Sequence, residues 1–160
     1  MNTDRLRLTA ERLRLQDNRI TMNPMFCVQI LRRDVGFDSN YATNRCWWDG
    51  ANLEAIYDDD PGFKDPPKGD QWDGPFGYQD RWEIVMVAFT EAGCEEHIAL
   101  DGHNHKRAAF RGQVRIYVES FNRCPEMIAI REELMKIQRA RNRPHAGLRV
   151  SPALRSASNA

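Results

Sequence analysis

The sequence predicts an α/β (or α+β) domain: a mixed sheet with a C-terminal right-handed β-α-β-α unit and a long acidic loop. Three observations predict it. First, "RWEIVMVAF" (81–89) is nearly continuous apolar, as in a strand covered on both faces. Second, Thr90-Glu91 follows as a helix start, with a hydroxyl for the cap and an acid at the positive helix end. Third, "QVRIYVES" (113–120) is a second buried strand, and Pro125 behind it suits the first turn of another helix. A strand–helix–strand passage of this kind joins parallel strands by a right-handed crossover.

Along the chain, residues 1–22 repeat RLRL at a spacing of seven. Leu6 and Leu8 are about 200° apart on a helix, so no single apolar face results and a weakly structured N-terminal arm or docking element is expected. A single α/β domain is expected over 23–138. "MFCVQILRR" (25–33) reads as a strand with a polar break at Gln29. "GFDSNYATN" is loop. "RCWWDG" (45–50) is a short aromatic strand closed by Asp-Gly, and "LEAIYD" (53–58) pairs back on it as a hairpin. From Asp58 to Tyr78 four prolines and four glycines stand among acids, which predicts a long loop. In "EAGCEEHIAL" the helix runs from Glu91 to Asp101, with Gly102 as its left-handed stop. Met127, Ile130, Leu134 and Ile137 form an apolar stripe on the last helix, with Cys124 or Asn122 as its cap. Arg139–Ala160 reads as a basic flexible tail.

At 160 residues, 29% charged and 41% hydrophobic, the chain can bury a core without staples. It has no run of eighteen apolar residues and no apolar leader, so no membrane contact and a cytoplasmic location are expected. The four cysteines are widely spaced and form no CxxC pair, so a disulfide framework is not expected. Net charge is zero, yet nine acids face two lysines between Asp49 and Asp80, and five arginines with no acid occupy 139–160. Such asymmetry marks either solvated segments or electrostatic contact with a basic partner or nucleic acid.

Three stretches bear on chemistry. "CEEHIALDGHNHKR" (94–107) holds His97, His103 and His105 beside Cys94 and Asp101. With no HExxH and no second Cys/His pair, it reads as a helix stop whose polar side chains bond free backbone groups, and neither a metal nor a cofactor is expected. "RIYVESFNR" places Ser120, Asn122 and Arg123 before a capped helix, a possible nucleotide or anion site. It resembles the first strand and loop of nucleoside deoxyribosyltransferase-like proteins, without an identifiable catalytic carboxylate. The acidic aromatic loop supplies the expected partner-binding residues: Trp48, Asp58, Asp59, Asp60, Trp72 and Tyr78. No catalytic residue is assigned.

Taken together, "DRWEIVMVAFTEAGC", "DGHN" and "RIYVESFNRCPEMIAIREELM", with "FCVQILRRDVGFDSNY" near the start, resemble an uncharacterised family of small tailed-phage and prophage proteins. The resemblance spans 23–135 and implies a phage origin but no activity. The expected function is therefore a non-enzymatic, stoichiometric inhibitor or modulator of a host defence or nucleic-acid-processing complex, anti-CRISPR-like or anti-restriction-like. A nucleotide-binding or N-glycosidic-bond-cleaving enzyme and a virion or assembly component remain as alternatives. The expected partner is a host protein or a protein–nucleic-acid complex, and self-association is open.

Overall fold

The computed structural model describes residues 3–19 and 21–137. The order of elements is α1 (Thr3–Leu15), β1 (Pro24–Asp38), β2 (Asn44–Asp49), β3 (Glu54–Tyr57), β4 (Trp72–Ala88), α2 (Glu91–Ala108), a 3-10 turn (Phe110–Gly112), β5 (Val114–Ser120) and α3 (Pro125–Lys136). The strands form one sheet in the order β3-β2-β4-β1-β5, and every neighbouring pair is antiparallel. A mixed helix-and-sheet fold is therefore correct, and the mixed strand pairing is not. β4 and β5 do run parallel to each other, because each is antiparallel to β1. However, β1 lies between them and takes hydrogen bonds from both.

β1 is buried on both faces for that reason. Phe26, Val28 and Ile30 alternate with Cys27, Gln29 and Leu31, and all six are under a tenth exposed. Phe26, Val28 and Cys94 form the core cluster, with Met86, Ile98, Val114, Ile116 and Val118 packed around it. Burying side chains of this size contributes about 1.5–3 kcal/mol each. The core thus sits between the sheet and α2.

Thr90 caps α2 as expected, its side chain accepting from Gly93 N at 3.1 Å. Gly93 lets the helix start close to β4, since a Cβ there would stand 3.1 Å from Ala88 Cβ. The expected stop at Gly102 is corrected. Helix continues to Ala108, and Gly102 is a buried interior residue without positive φ. Packing outweighs its poor propensity: Cys94, Ile98 and Gly102 make the inward stripe at i, i+4, i+8. The true end comes at Ala109, whose N–H donates to His105 O at 2.9 Å, before Arg111 and Gly112 turn with positive φ.

Of the two expectations for the N-terminal segment, a weakly structured arm or a docking element, the first does not hold for residues 3–15. Residues 3–15 are helix α1, with Ala10 and Leu13 buried. Arg12 donates to Glu96 of α2 at 2.5 Å, and Arg14 donates to Met135 O at the end of α3 at 2.9 Å. β4 begins at Trp72, so the loop after β3 is shorter than expected. Gly77 is required inside this strand: a Cβ would meet Ala42 Cβ at 2.4 Å. The hairpin of β2 and β3 forms as expected, with Asp49 Oδ1 accepting from Ala51 N and Asn52 N in its turn. At α3, Cys124 holds the cap position but its side chain makes no cap bond. Among the described residues no helix is long and apolar enough to cross a membrane. The basic segment 139–160 lies outside the described residues.

Candidate functional site

Three of the acids singled out in the sequence are engaged within the chain. Asp58, Asp59 and Asp60 close over β1 around Arg33, whose side chain is 4% exposed. Arg33 makes paired bonds to Asp59 (2.9 and 3.0 Å) and to Asp80 (2.6 and 2.7 Å). Its guanidinium lies 3.9 Å from the ring centroids of both Tyr78 and Phe110 and 4.6 Å from that of Tyr57. Arg111 reaches the same acids, bonding Asp59 at 3.0 Å and also Asp60. Asp58 accepts from Tyr78 Oη at 2.6 Å and from Arg45 N at 2.8 Å.

The charges respond to this arrangement. The bond from Arg33 takes the Asp59 carboxyl down to about 2. Burial first, and the bond to Asp58 second, push the Tyr78 hydroxyl well above its usual value. The node holds the β2–β3 hairpin and the 3-10 turn onto β1. Its chemistry is that of a structural clamp.

The six expected partner residues therefore do not make one surface. Tyr78 is buried, and Asp58, Asp59 and Asp60 spend their charge within the chain. Trp48 pairs with Asp73 and Trp72 with Asp49 in successive rows, so the two tryptophans point to opposite faces of the sheet. The expected anion edge is also engaged. Ser120 Oγ lies 2.9 Å from Thr21 Oγ1, and Asn23 donates to Asn122 Oδ1 at 2.8 Å. These bonds close the start of β1 against the end of β5. Arg123 is exposed beside them.

What the sequence reading missed is the second face of the sheet. α2 covers the face of Phe26 and Val28. On the opposite face, three cross-strand rows follow from the register: Val87–Cys27–Tyr117, Ile84–Gln29–Arg115 and Trp82–Leu31. Val87, Ile84 and Tyr117 are 51%, 47% and 43% exposed. Arg115 crosses the middle of this face, 3.8 Å above the Trp82 ring and 4.8 Å from that of Tyr117, and its Nε donates to Gln29 Oε1 at 2.9 Å. Among the described residues Arg115 makes no ion pair. The β-bulge in β4 between the first two rows was the missing signal. It skips Val85, so alternation through "WEIVMV" changes phase, and the segment reads as buried on both faces.

A further cluster lies on α2. His97, Asp101 and His105 bring three ligand atoms within 4.8 Å of one another. His103 is exposed and is not one of the three.

No family model, no curated protein and no solved structure matches this chain.

Proposed function

We propose that the chain is a non-enzymatic, stoichiometric binding protein that docks the open face of its sheet on a partner protein. The resemblance to small phage and prophage proteins directs the proposal to a host defence or nucleic-acid-processing complex, which the chain inhibits or modulates. The observation that supports it is the row set in which Ile84, Val87 and Tyr117 are exposed beside a half-buried Trp82, with Arg115 across it. A contiguous apolar and aromatic patch around one arginine has the composition of an interface core.

The chemistry favours a protein surface over a nucleic-acid strand. By alternation the charge in these rows is Arg115, with Glu119 one row beyond at one end and the mutually paired Arg33 and Asp80 one row beyond at the other. A phosphate backbone needs several cations to release its counterions, and these rows provide one. A partner offering an apolar ridge with a carboxylate would fill the rows and pair with Arg115. The edge at Ser120 and Asn122 argues against the nucleotide reading, because both side chains are already bonded to Thr21 and Asn23.

The test is kinetic, on the complex purified from host lysate. Tyr117→Ala raises the dissociation rate by about 30-fold, the equivalent of a hot spot of about 2 kcal/mol. The triple change of Asp58, Asp59 and Asp60 to Asn leaves that rate unchanged wherever the protein stays folded. A rate unaffected by Tyr117→Ala, Val87→Lys and Arg115→Ala alike contradicts the reading.

A further inference from the structure

We propose that His97, Asp101 and His105 form a binding site on α2 for a first-row divalent transition-metal ion of the zinc class. The three residues stand at i, i+4 and i+8, so their side chains rise along one stripe beside the buried row of Cys94, Ile98 and Gly102. The two histidines close over the aspartate between them. Their Nε2 atoms are 2.7 Å apart, and His105 Nε2 is 3.6 Å from Asp101 Oδ2.

These separations bracket what a metal requires. Ligands at the usual zinc distance of about 2.0–2.1 Å in a tetrahedron lie roughly 3.3 Å from one another. Opening the histidine pair by about 0.6 Å, drawing the carboxylate toward His105 by about 0.3 Å and bringing the His97–Asp101 separation, within 4.8 Å, to the same roughly 3.3 Å gives that geometry. The carboxylate is already oriented. Asn104 Nδ2 donates to Asp101 Oδ1 at 2.6 Å, which leaves Oδ2 for the histidine side. An outer donor of this kind commonly fixes a metal-binding carboxylate. Two imidazoles with one carboxylate suit zinc, nickel, cobalt or copper rather than magnesium or calcium, which prefer oxygen alone. Three protein ligands leave a fourth position for water or for a group from a partner. The site is on α2, and the docking face is on the other side of the sheet, so the two proposals stand independently.

The experiment titrates the untagged full-length chain with Zn²⁺ by calorimetry and with Co²⁺ by visible absorption. Expected is saturable binding of one ion, with a Co²⁺ spectrum of nitrogen and oxygen ligation and no thiolate charge-transfer band. His97→Ala and His105→Ala each weaken binding by roughly 100-fold or more, and Asn104→Ala by about 10-fold. His103→Ala, His145→Ala and Cys124→Ser leave it unchanged. His97, His103, Asn104 and His105 are at least partly exposed on α2, and circular dichroism checks that each variant remains folded. The proposal is overturned if no saturable binding occurs. It is equally overturned if both His97→Ala and His105→Ala bind as the native chain does, the pair then being an imidazole–imidazole hydrogen bond only.

Discussion

Replacing Arg33 with alanine removes the centre of the clamp that joins the hairpin to the rest of the sheet. Removing one partner from a buried ion pair costs about 3–5 kcal/mol, because the remaining charge keeps its desolvation cost without its partner. Two features place Arg33→Ala at the lower end. The side chains of Asp59 and Asp80 are 40% and 35% exposed, so water screens what is left behind. Arg111 also continues to serve Asp59. The loss of packing against Tyr57, Tyr78 and Phe110 acts the other way. The expected cost is about 3 kcal/mol. With a urea slope of roughly 2 kcal/mol/M, the unfolding midpoint falls by about 1.5 M.

Equilibrium urea unfolding followed by circular dichroism measures this, with Arg81→Ala as the control. Arg81 also pairs across β1 and β4, bonding Asp34 at 2.6 Å, but on an exposed surface. Its replacement leaves the midpoint essentially unmoved. Equal midpoints for Arg33→Ala and Arg81→Ala would refute the clamp.

Other outcomes follow from the same geometry. Asp59 titrates near 2 when folded and near 3.9 when unfolded, so its contribution is complete above about pH 4 and disappears as pH falls toward 2. The urea midpoint therefore declines through that window, and Asp59→Asn makes the decline shallower; an identical pH profile for the variant would count against it. Gly77→Ala drives a Cβ into Ala42 and lowers stability by about 1–3 kcal/mol, read as a lower urea midpoint at unchanged slope.

The parts of the fold legible in the sequence are those set by local chemistry. Thr90 ahead of Glu91, Pro125 at a helix start and Asp49-Gly50 in a tight turn each act within a few residues, and each appears in the structure as expected. Gly102 misled because its usual role is local, whereas its role in this chain is to let a helix interior pack closely. Gly77 did the same in β4. The arginine–leucine repeat of 1–22 hid a helix because only Ala10 and Leu13 need to face inward.

The candidate site was less legible. The chain places Asp59 and Arg33 twenty-six positions apart, and nothing local reveals that an acidic run is neutralised by a buried guanidinium. The same holds for β1 inserting between β4 and β5, which long-range pairing decides. The histidines were visible from the start. Their convergence was not, because it depends on α2 continuing past Gly102.

We propose the open sheet face as the docking surface. The most direct measurement is hydrogen–deuterium exchange of the chain, free and in the purified partner complex. The prediction is new protection confined to the strand segments around Trp82–Val87 and Arg115–Glu119, with the loop around Asp58–Asp60 exchanging as in the free chain. Protection centred on that loop, with β4 and β5 unchanged, would contradict the claim.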